Sequence, residues 1–410
     1  MAGLPNRSFR DMNLPRTAAT QEAAALQPRV VALDGLDIIP IEVETWWRGA
    51  VSIESTPPSG SDMTDTPEWS KALSNAFLPN GGAVLLVASY PGSGAVGVLP
   101  VYLKTGARRG PLGDRIATLA ELHGGRNTVL VDETKPDVPR AILRGLDARF
   151  PRWSCLELTL VDGNRRSMRF VEALGSLVLA IERVALEPSP YISLPSTFDD
   201  YFKTLKPSFR TEIRRGERRL KEIGSLSRAL FTAPSDVGRL WDYVAQIERE
   251  SWKQSAGTSI TTSPAQERFY REMLPRAAAA GELLSTVLFL GERPIAHQIC
   301  LLRDGTSSIH KMSYVEDLKR YYPSTVLLNW YLQDLVARGV AFLDFMGRCE
   351  EFKMRWTRHM YGRTKYLIYR NSMSGRLAYM WRKASGIRAL ARGKVAALER
   401  SPAGDSSTDC

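Results

Sequence analysis

The stretch LLSTVLFLGERPIAHQICLLRDGTSSIHKMSYVEDLKRYYPSTVLLNWYLQDLVARGVAFLDFMGRCEEFKMRW, residues 283–356, decides the fold. Read for period, it gives three short apolar strands, a loop, one amphipathic helix and a further strand. Gly291-Glu292 and Asp304-Gly305 fall between the strands as hairpin turns. Tyr322-Pro323-Ser324 opens the helix: proline is preset for a first turn, and the serine can serve exposed amides. Leu328, Leu332 and Leu335 line one helix face, and Gly339 stops it. The closing strand VAFLDFMG carries one acid, Asp344, among apolar neighbours. A strand, an irregular loop and a helix N-terminus in that order suit a phosphate-bearing ligand.

Five words in order, SFRTEIRRGERRLKEIG, ESWKQSAGTS, PIAHQICL, HKMSYVEDLKRYYPSTVLL and LDFMGRCEEFKMRW, resemble the GNAT acyltransferase superfamily. The closer likeness is to the cellulose-biosynthesis (CelD/BcsL-type) acetyltransferases, and it spans roughly residues 188–370 with an echo in TPEWSKAL. Two positions depart from that pattern: Val315 stands where the branch has Asp, and Ser324 where it has Gly. The second adds a side chain where a cofactor backbone should pass closely.

The N-terminal half repeats the order. AVLLVASY and AVGVLPVYLK read as a hairpin around PGSG, PDVPRAILRGLDARF as a helix and WSCLELTLVD as the next strand. The expected fold is therefore α/β, two tandem GNAT-like modules, each a mixed, mostly antiparallel sheet flanked by helices. The expected boundaries are a flexible leader over 1–40, a degenerate module over 41–185 and an acyltransferase domain over 186–372. A basic helix and disordered tail follow over 373–410. RVALEPSPYISLPSTFDD, with three prolines, reads as an extended linker between the modules. Gly92, Gly94 and Gly97 match a dinucleotide fingerprint in spacing only, because a strand pattern follows them where that fingerprint needs a helix.

Composition excludes several classes. At 410 residues, two domains are the prior expectation, and 44% hydrophobic with 24% charged residues is ordinary for a globular chain. No apolar run is long enough to span a bilayer and the first residues lack an apolar signal core, which favours the cytoplasm. Cys155, Cys300, Cys349 and Cys410 are scattered, so reduced thiols are expected and no metal site. The net charge of +11 is concentrated in residues 206–222 and 376–400, leaving the rest near neutral, which argues against a nucleic-acid surface. Residues 376–400 read either as an interfacial helix drawn to anionic lipid at the inner membrane face, or as a packed terminal helix with its charges in water.

The first basic patch starts at Pro207-Ser208 and ends at Gly224. Phe209, Ile213, Leu220 and Ile223 share one helix face; Arg210 and Arg214 lie on another and suit an anionic substrate group. The resemblance implies acetyl-CoA or another acyl-CoA as co-substrate and no metal. It also implies an acceptor amine or hydroxyl on a sugar, nucleotide-sugar, or cell-envelope or polysaccharide-biosynthesis precursor. On that reading Lys311, Tyr314, Arg320, Pro323, Ser324, Thr325 and Val326 would hold the CoA. Glu250, Asp344 and His310 are the candidate bases, Lys353 a candidate donor, and Trp252 and Trp356 join Arg210 and Arg214 on the acceptor side. Asp344 could equally pair with Lys353 or Arg348 to fix the strand end. His123, His297 and His359 are isolated, each read first as structural. Two other functions stay open: a Fem-type transferase fed by aminoacyl-tRNA, and a catalytically inactive envelope-assembly factor.

Overall fold

The computed structural model describes residues 27–36, 38–50, 63–104, 112–124, 129–132 and 134–398. Among these, thirteen strands join in one sheet. In chain order they are β1 (Arg29–Asp34), β2 (Ala83–Ser89), β3 (Ala95–Leu103), β4 (Asp114–Thr118), β5 (Leu130–Val131), β6 (Trp153–Val161) and β7 (Ala180–Ser193). There follow β8 (Leu226–Phe231), β9 (Ser285–Leu290), β10 (Arg293–Arg303), β11 (Thr306–Tyr314), β12 (Phe342–Asp344) and β13 (Met360–Tyr369). The helices are α1 (Ile41–Ala50), α2 (Pro67–Phe77), α3 (Val138–Arg149), α4 (Arg165–Leu174), α5 (Phe198–Thr204) and α6 (Pro207–Ile223). The remainder are α7 (Val237–Arg249), α8 (Trp252–Ser255), α9 (Pro264–Ala279), α10 (Pro323–Ala337), α11 (Glu351–Met354) and α12 (Met373–Leu398). The fold is α/β: a mixed, mostly antiparallel sheet with helices on both faces.

The same local plan occurs twice. β2 and β3 pair antiparallel, β4 follows, and β6 pairs parallel to β4 after α3. Likewise β9, β10 and β11 are antiparallel, and β12 pairs parallel to β11 after α10. The next strand of each half then crosses to the other. β7 lies against β13 over 180–190 and against β12 over 191–193, while β13 returns to pair with β6. The two halves thus exchange their closing strands, which turns two small sheets into one.

That exchange corrects two expectations. The proline-rich segment is extended but is no free linker: most of it is β7, hydrogen-bonded on both sides. Pro188 falls where the register slips between Tyr361 and Arg363, so its missing N–H breaks no ladder there, while Pro190 sits in the ladder opposite Met360. The expected leader also contains an edge strand, β1, paired with β2; residues 1–26 lie outside the described residues. Residues 399–410, which include the expected tail SPAGDSSTDC and Cys410, are outside them too.

The decisive stretch folds close to its pattern. Asp304 and Gly305 both have positive φ, as a two-residue hairpin turn requires. α10 starts at Pro323 and gives way at Gly339, φ +71°. It is not a one-faced amphipathic helix. Val326 and Leu327 enter one core while Leu328, Tyr331, Leu332 and Leu335 enter another, so it is apolar on two sides. On α6, Phe209, Ile213 and Leu220 are buried as expected, but Ile223 at the frayed last turn is 47% exposed.

Across the middle, α2 packs on α9. Trp69 meets Phe269 edge-on at 4.8 Å, and Phe77 lies 6.2 Å from the same ring. Aromatic pairs of this kind contribute about 0.5–1.5 kcal/mol each beyond area burial. Asn75 Nδ2 donates to Glu272 at 2.9 Å and Arg268 to the Ala76 carbonyl at 3.0 Å, fixing the N-terminal half against the C-terminal helices.

Candidate functional site

β11 and β12 stay paired for only three residues, and Ser308 opposite Asp344 is the last of them. β11 runs on to Tyr314, whereas β12 turns away through Met346 (φ +50°) and Gly347 (φ +62°). A wedge opens between the strands. Within it β11 carries a bulge: Ile309 faces Cys300 and Lys311 faces Ile299, so His310 is an extra residue. A bulge places two successive side chains on one side of a strand. His310 and Lys311 therefore both leave the sheet on the face covered by α2, α7 and α9, as the 5.0 Å approach of the His310 and Trp69 rings indicates.

At the far end of β11 a short 3-10 turn, Glu316–Tyr321, leads into α10. Tyr322 adopts the left-handed conformation (φ +57°) and acts as N-cap without a side-chain bond. Thr325 and Val326 both donate their N–H to the Tyr322 carbonyl, at 3.0 and 3.1 Å, and Pro323 has none to give. The Ser324 hydroxyl, expected to cap the helix, is instead buried without a hydrogen-bond partner. α6 braces this turn closely: a Cβ on Gly216 would stand 2.8 Å from the Tyr321 carbonyl oxygen. A helix N-terminus carries positive potential, so this turn suits an anion such as the pyrophosphate of a CoA. Arg320 stacks on Tyr321 (4.8 Å) and Lys319 pairs with Glu316 (3.1 Å); both are exposed beside the turn. Tyr314 is half-buried at the strand end, its phenol pushed up by burial and then by Glu316.

On the α7 side, a charged cluster lies under the wedge. Glu248 and His297 are fully buried, with Oε1 and Nε2 3.1 Å apart. Glu248 Oε2 also accepts the Ile260 N–H at 3.1 Å, and Lys253 Nζ stands 3.9 Å from Oε1 while donating to the Met312 carbonyl. Burial opposes the charge of Glu248, but the His297 bond, the Lys253 cation and Ser259 outweigh it and hold the carboxyl at about 2. Burial lowers His297 and Lys253 as well. Lys311 is pulled down to about 8, first by burial and then by Lys253. His123, from the N-terminal half, is lowered to about 4 by burial and by Lys311. Its Nε2 lies 3.1 Å from the Tyr270 hydroxyl, and its ring stacks on Phe77 (5.6 Å) and meets Phe269 edge-on (5.1 Å).

The residues singled out in the sequence are divided among three places. Asp344, His310 and Lys311 gather at the wedge. Asp344 is fully buried, accepting from Met346 N–H (2.7 Å) and from the Tyr361 hydroxyl (3.0 Å). Lys353 closes the turn beyond it, donating to the carbonyls of Met346 (3.2 Å) and Arg348 (3.1 Å) and pairing with Glu350 (3.0 Å). Arg320, Pro323, Ser324, Thr325 and Val326 form the turn at α10. The others lie apart. Glu250 is at the surface, bound to Arg293 (2.6 Å), which also binds Asp317. Arg214 sits over Phe202 (5.2 Å) on the outer side of α6, and Arg210 has its Nε buried without a partner. Trp252 is 44% exposed at the start of α8, whereas Trp356 is a core residue edge-on to Phe209 at 4.9 Å.

Sequence reasoning missed Glu248, Lys253 and His123. Glu248 and Glu250 are about 200° apart around a helix, so one acid facing out sends the other in. The signal was present: Trp241, Val244 and Glu248 form one helical stripe, an acid within an apolar face. A counterpart to Asp344 also went unnoticed. The last parallel pair of the N-terminal half is Ala117 with Glu157, the position that Asp344 holds in the other half. Glu157 is buried and surrounded by Lys104 (3.0 Å), Arg115 and Lys365 (3.8 Å), which locks it in ion pairs.

Residues 207–354 match the family model described as an acetyltransferase (GNAT) domain. The C-terminal half is thus a GNAT acetyltransferase domain, and the chain is an acyltransferase. Among solved structures, a tandem GNAT protein from the clavulanic acid biosynthesis pathway is 14% identical (TM-score 0.48), over 83% of this chain and 98% of that one. L-PGS from Bacillus licheniformis is 14% identical (TM-score 0.44), over 72% of this chain and 83% of that one. FemX is 11% identical (TM-score 0.43), over 82% and 96%. No curated protein matches the sequence.

Proposed function

Starting from a chain with a GNAT acetyltransferase domain over residues 207–354, we propose that it moves an acyl group, acetyl in the first instance, from acyl-CoA to an amine or hydroxyl. The proposed acceptor is a sugar, a nucleotide-sugar or another cell-envelope or exopolysaccharide precursor, bound at the wedge beside Lys311. One observation carries this reading: the wedge between β11 and β12 has Asp344 at its closed end and the bulge at His310 and Lys311 on its wall. Acyl-CoA supplies the activated thioester. The acceptor nitrogen or oxygen attacks the carbonyl carbon and its proton passes to Lys311 Nζ. The carbon–sulfur bond breaks, and the departing thiolate receives the proton from Lys311.

Among the groups at the wedge, Lys311 is the one whose amine, at about 8, is free to cycle near neutral pH. Asp344 and Lys353 are committed to the Met346 turn, and Glu250 to Arg293. Calorimetry with acetyl-CoA, followed by transfer assays on glucosamine-type and nucleotide-sugar acceptors, tests the reading. Binding of one acetyl-CoA per chain with turnover supports it. Turnover with aminoacyl-tRNA alone would replace the donor, and tight CoA binding without turnover on any acceptor would point to the assembly-factor reading.

A further inference from the structure

α12 packs on the sheet by one face only. Gly375, Ala378 and Tyr379 face β6 and β13, where Tyr379 meets Tyr369 edge-on at 5.1 Å beside Cys155 and Leu367. The opposite stripe is apolar and bare: Met373 is 72% exposed, Met380 63%, Trp381 57% and Leu377 39%. These positions recur at helical spacing, so they form one continuous ridge rather than scattered contacts. Arg376 is exposed at the border of the ridge, while Lys383 lies over Tyr379 and pairs with Glu182 at 3.9 Å; the sequence from Arg370 to Leu398 contains no acidic residue. Among the described residues no helix is long and apolar enough to cross a membrane.

We propose that this ridge is a membrane-docking surface, with α12 lying in the headgroup layer of a bilayer containing anionic lipid. The chemistry favours lipid over a second copy of the chain, because stacking two such ridges would bring like charges together, whereas anionic headgroups neutralise them. A tryptophan at the ridge border suits the interface, where its ring is partly wet and partly apolar. Placement adds a consequence. α12 covers the face of β6 and β13 that also carries Cys155, Thr159 and Lys365. Thr159 and Lys365 bind Glu121, two residues before His123. The docking ridge and the contact of Thr159 and Lys365 with Glu121 therefore lie on one face of the sheet.

Co-sedimentation of the full chain with vesicles of phosphatidylcholine, with and without phosphatidylglycerol, tests this independently of any acyl transfer. Binding should require phosphatidylglycerol and weaken at high salt. Met380→Ser/Trp381→Ser should reduce it about tenfold or more, and Arg376→Gln about fivefold. All three side chains are exposed, so thermal melting should be unchanged. Wild-type chain that ignores anionic vesicles, or a serine double variant that binds as wild type, would overturn the proposal. So would dimerisation that depends on Trp381 in the absence of lipid.

Discussion

Asp344 and Lys353 hold the same residue from two sides: the carboxylate accepts the Met346 N–H at 2.7 Å, and the ammonium donates to the Met346 carbonyl at 3.2 Å. Met346 has φ +50°, a conformation that costs a side-chain-bearing residue energy unless its surroundings enforce it. The two charged groups thus shape the wall of the wedge through the same residue. Asp344→Asn keeps the shape of the side chain but turns one acceptor oxygen into a donor towards Tyr361 or Met346. Transfer should fall about 10²-fold or more, together with a lower melting temperature. A rate loss at unchanged stability would instead make Asp344 the base; full activity in a stable variant would remove it from the site.

Lys311 gives a pH signature. Its folded value is about 8, against an ordinary 10.5. Between those values the unfolded chain binds more protons than the folded one, so stability rises with pH across that window. Below pH 8 the full cost of the buried ammonium is present. Lys311→Met should then melt higher than wild type at pH 7 and lose that advantage above about pH 10.5. Transfer should meanwhile drop about 10²–10⁴-fold, and the wild-type rate should climb with pH towards 8. A Met variant that keeps the wild-type rate would exclude Lys311 as proton acceptor.

Glu248 has the opposite sign. Its carboxyl is held at about 2, below the usual 4.5, so its contribution is present above 4.5 and lost as pH falls towards 2. Glu248→Gln leaves buried Lys253 with only the weaker attraction of Glu350, which costs up to about 3–5 kcal/mol, the loss when one partner of a buried pair is removed. Urea titration at pH 7 should read that loss. A change below about 1 kcal/mol would mean that Lys253 escapes to solvent.

Local pattern gave away what depends on local pattern. The hairpin at Asp304-Gly305, the start of α10 at Pro323 and the buried face of α6 follow from turn chemistry and helical spacing. The exchange of β7 and β13 did not, because a strand's partner is chosen by tertiary packing and Pro188 and Pro190 read as linker signals. The bulge at His310 was equally hidden, since it exists only relative to Cys300 and Ile299 on the neighbouring strand. Glu248 is legible only from the apolar stripe through Trp241 and Val244, which carries an acid on its buried face.

Ser324→Glu tests the proposed pyrophosphate position. A carboxylate placed at the unpartnered hydroxyl would repel the anion while remaining favourable for the helix N-terminus. Acetyl-CoA affinity should fall more than tenfold with α10 intact by circular dichroism. Gly216→Ala offers a second approach from α6, since its methyl must displace the Tyr321 carbonyl by several tenths of an ångström. It should weaken CoA binding more than acceptor binding. Unchanged affinity in both variants would place the pyrophosphate elsewhere.

The exchanged strands predict that neither half folds alone. In a fragment of residues 186–410, β13 would lose β6, its partner from Tyr369–Cys155 to Arg363–Val161. Tyr366 and Ile368, now 2% and 0% exposed, pack into the core of the N-terminal half and would face water. A long apolar edge of that kind invites aggregation. The truncation also removes 180–185, the stretch of β7 that covers the other side of β13. The fragment should elute as aggregate and lack a cooperative melt, and co-expression with residues 1–185 should restore a soluble complex. A monomeric 186–410 fragment that unfolds cooperatively would mean that β13 folds back to close its own half, and that the exchange is not needed for stability.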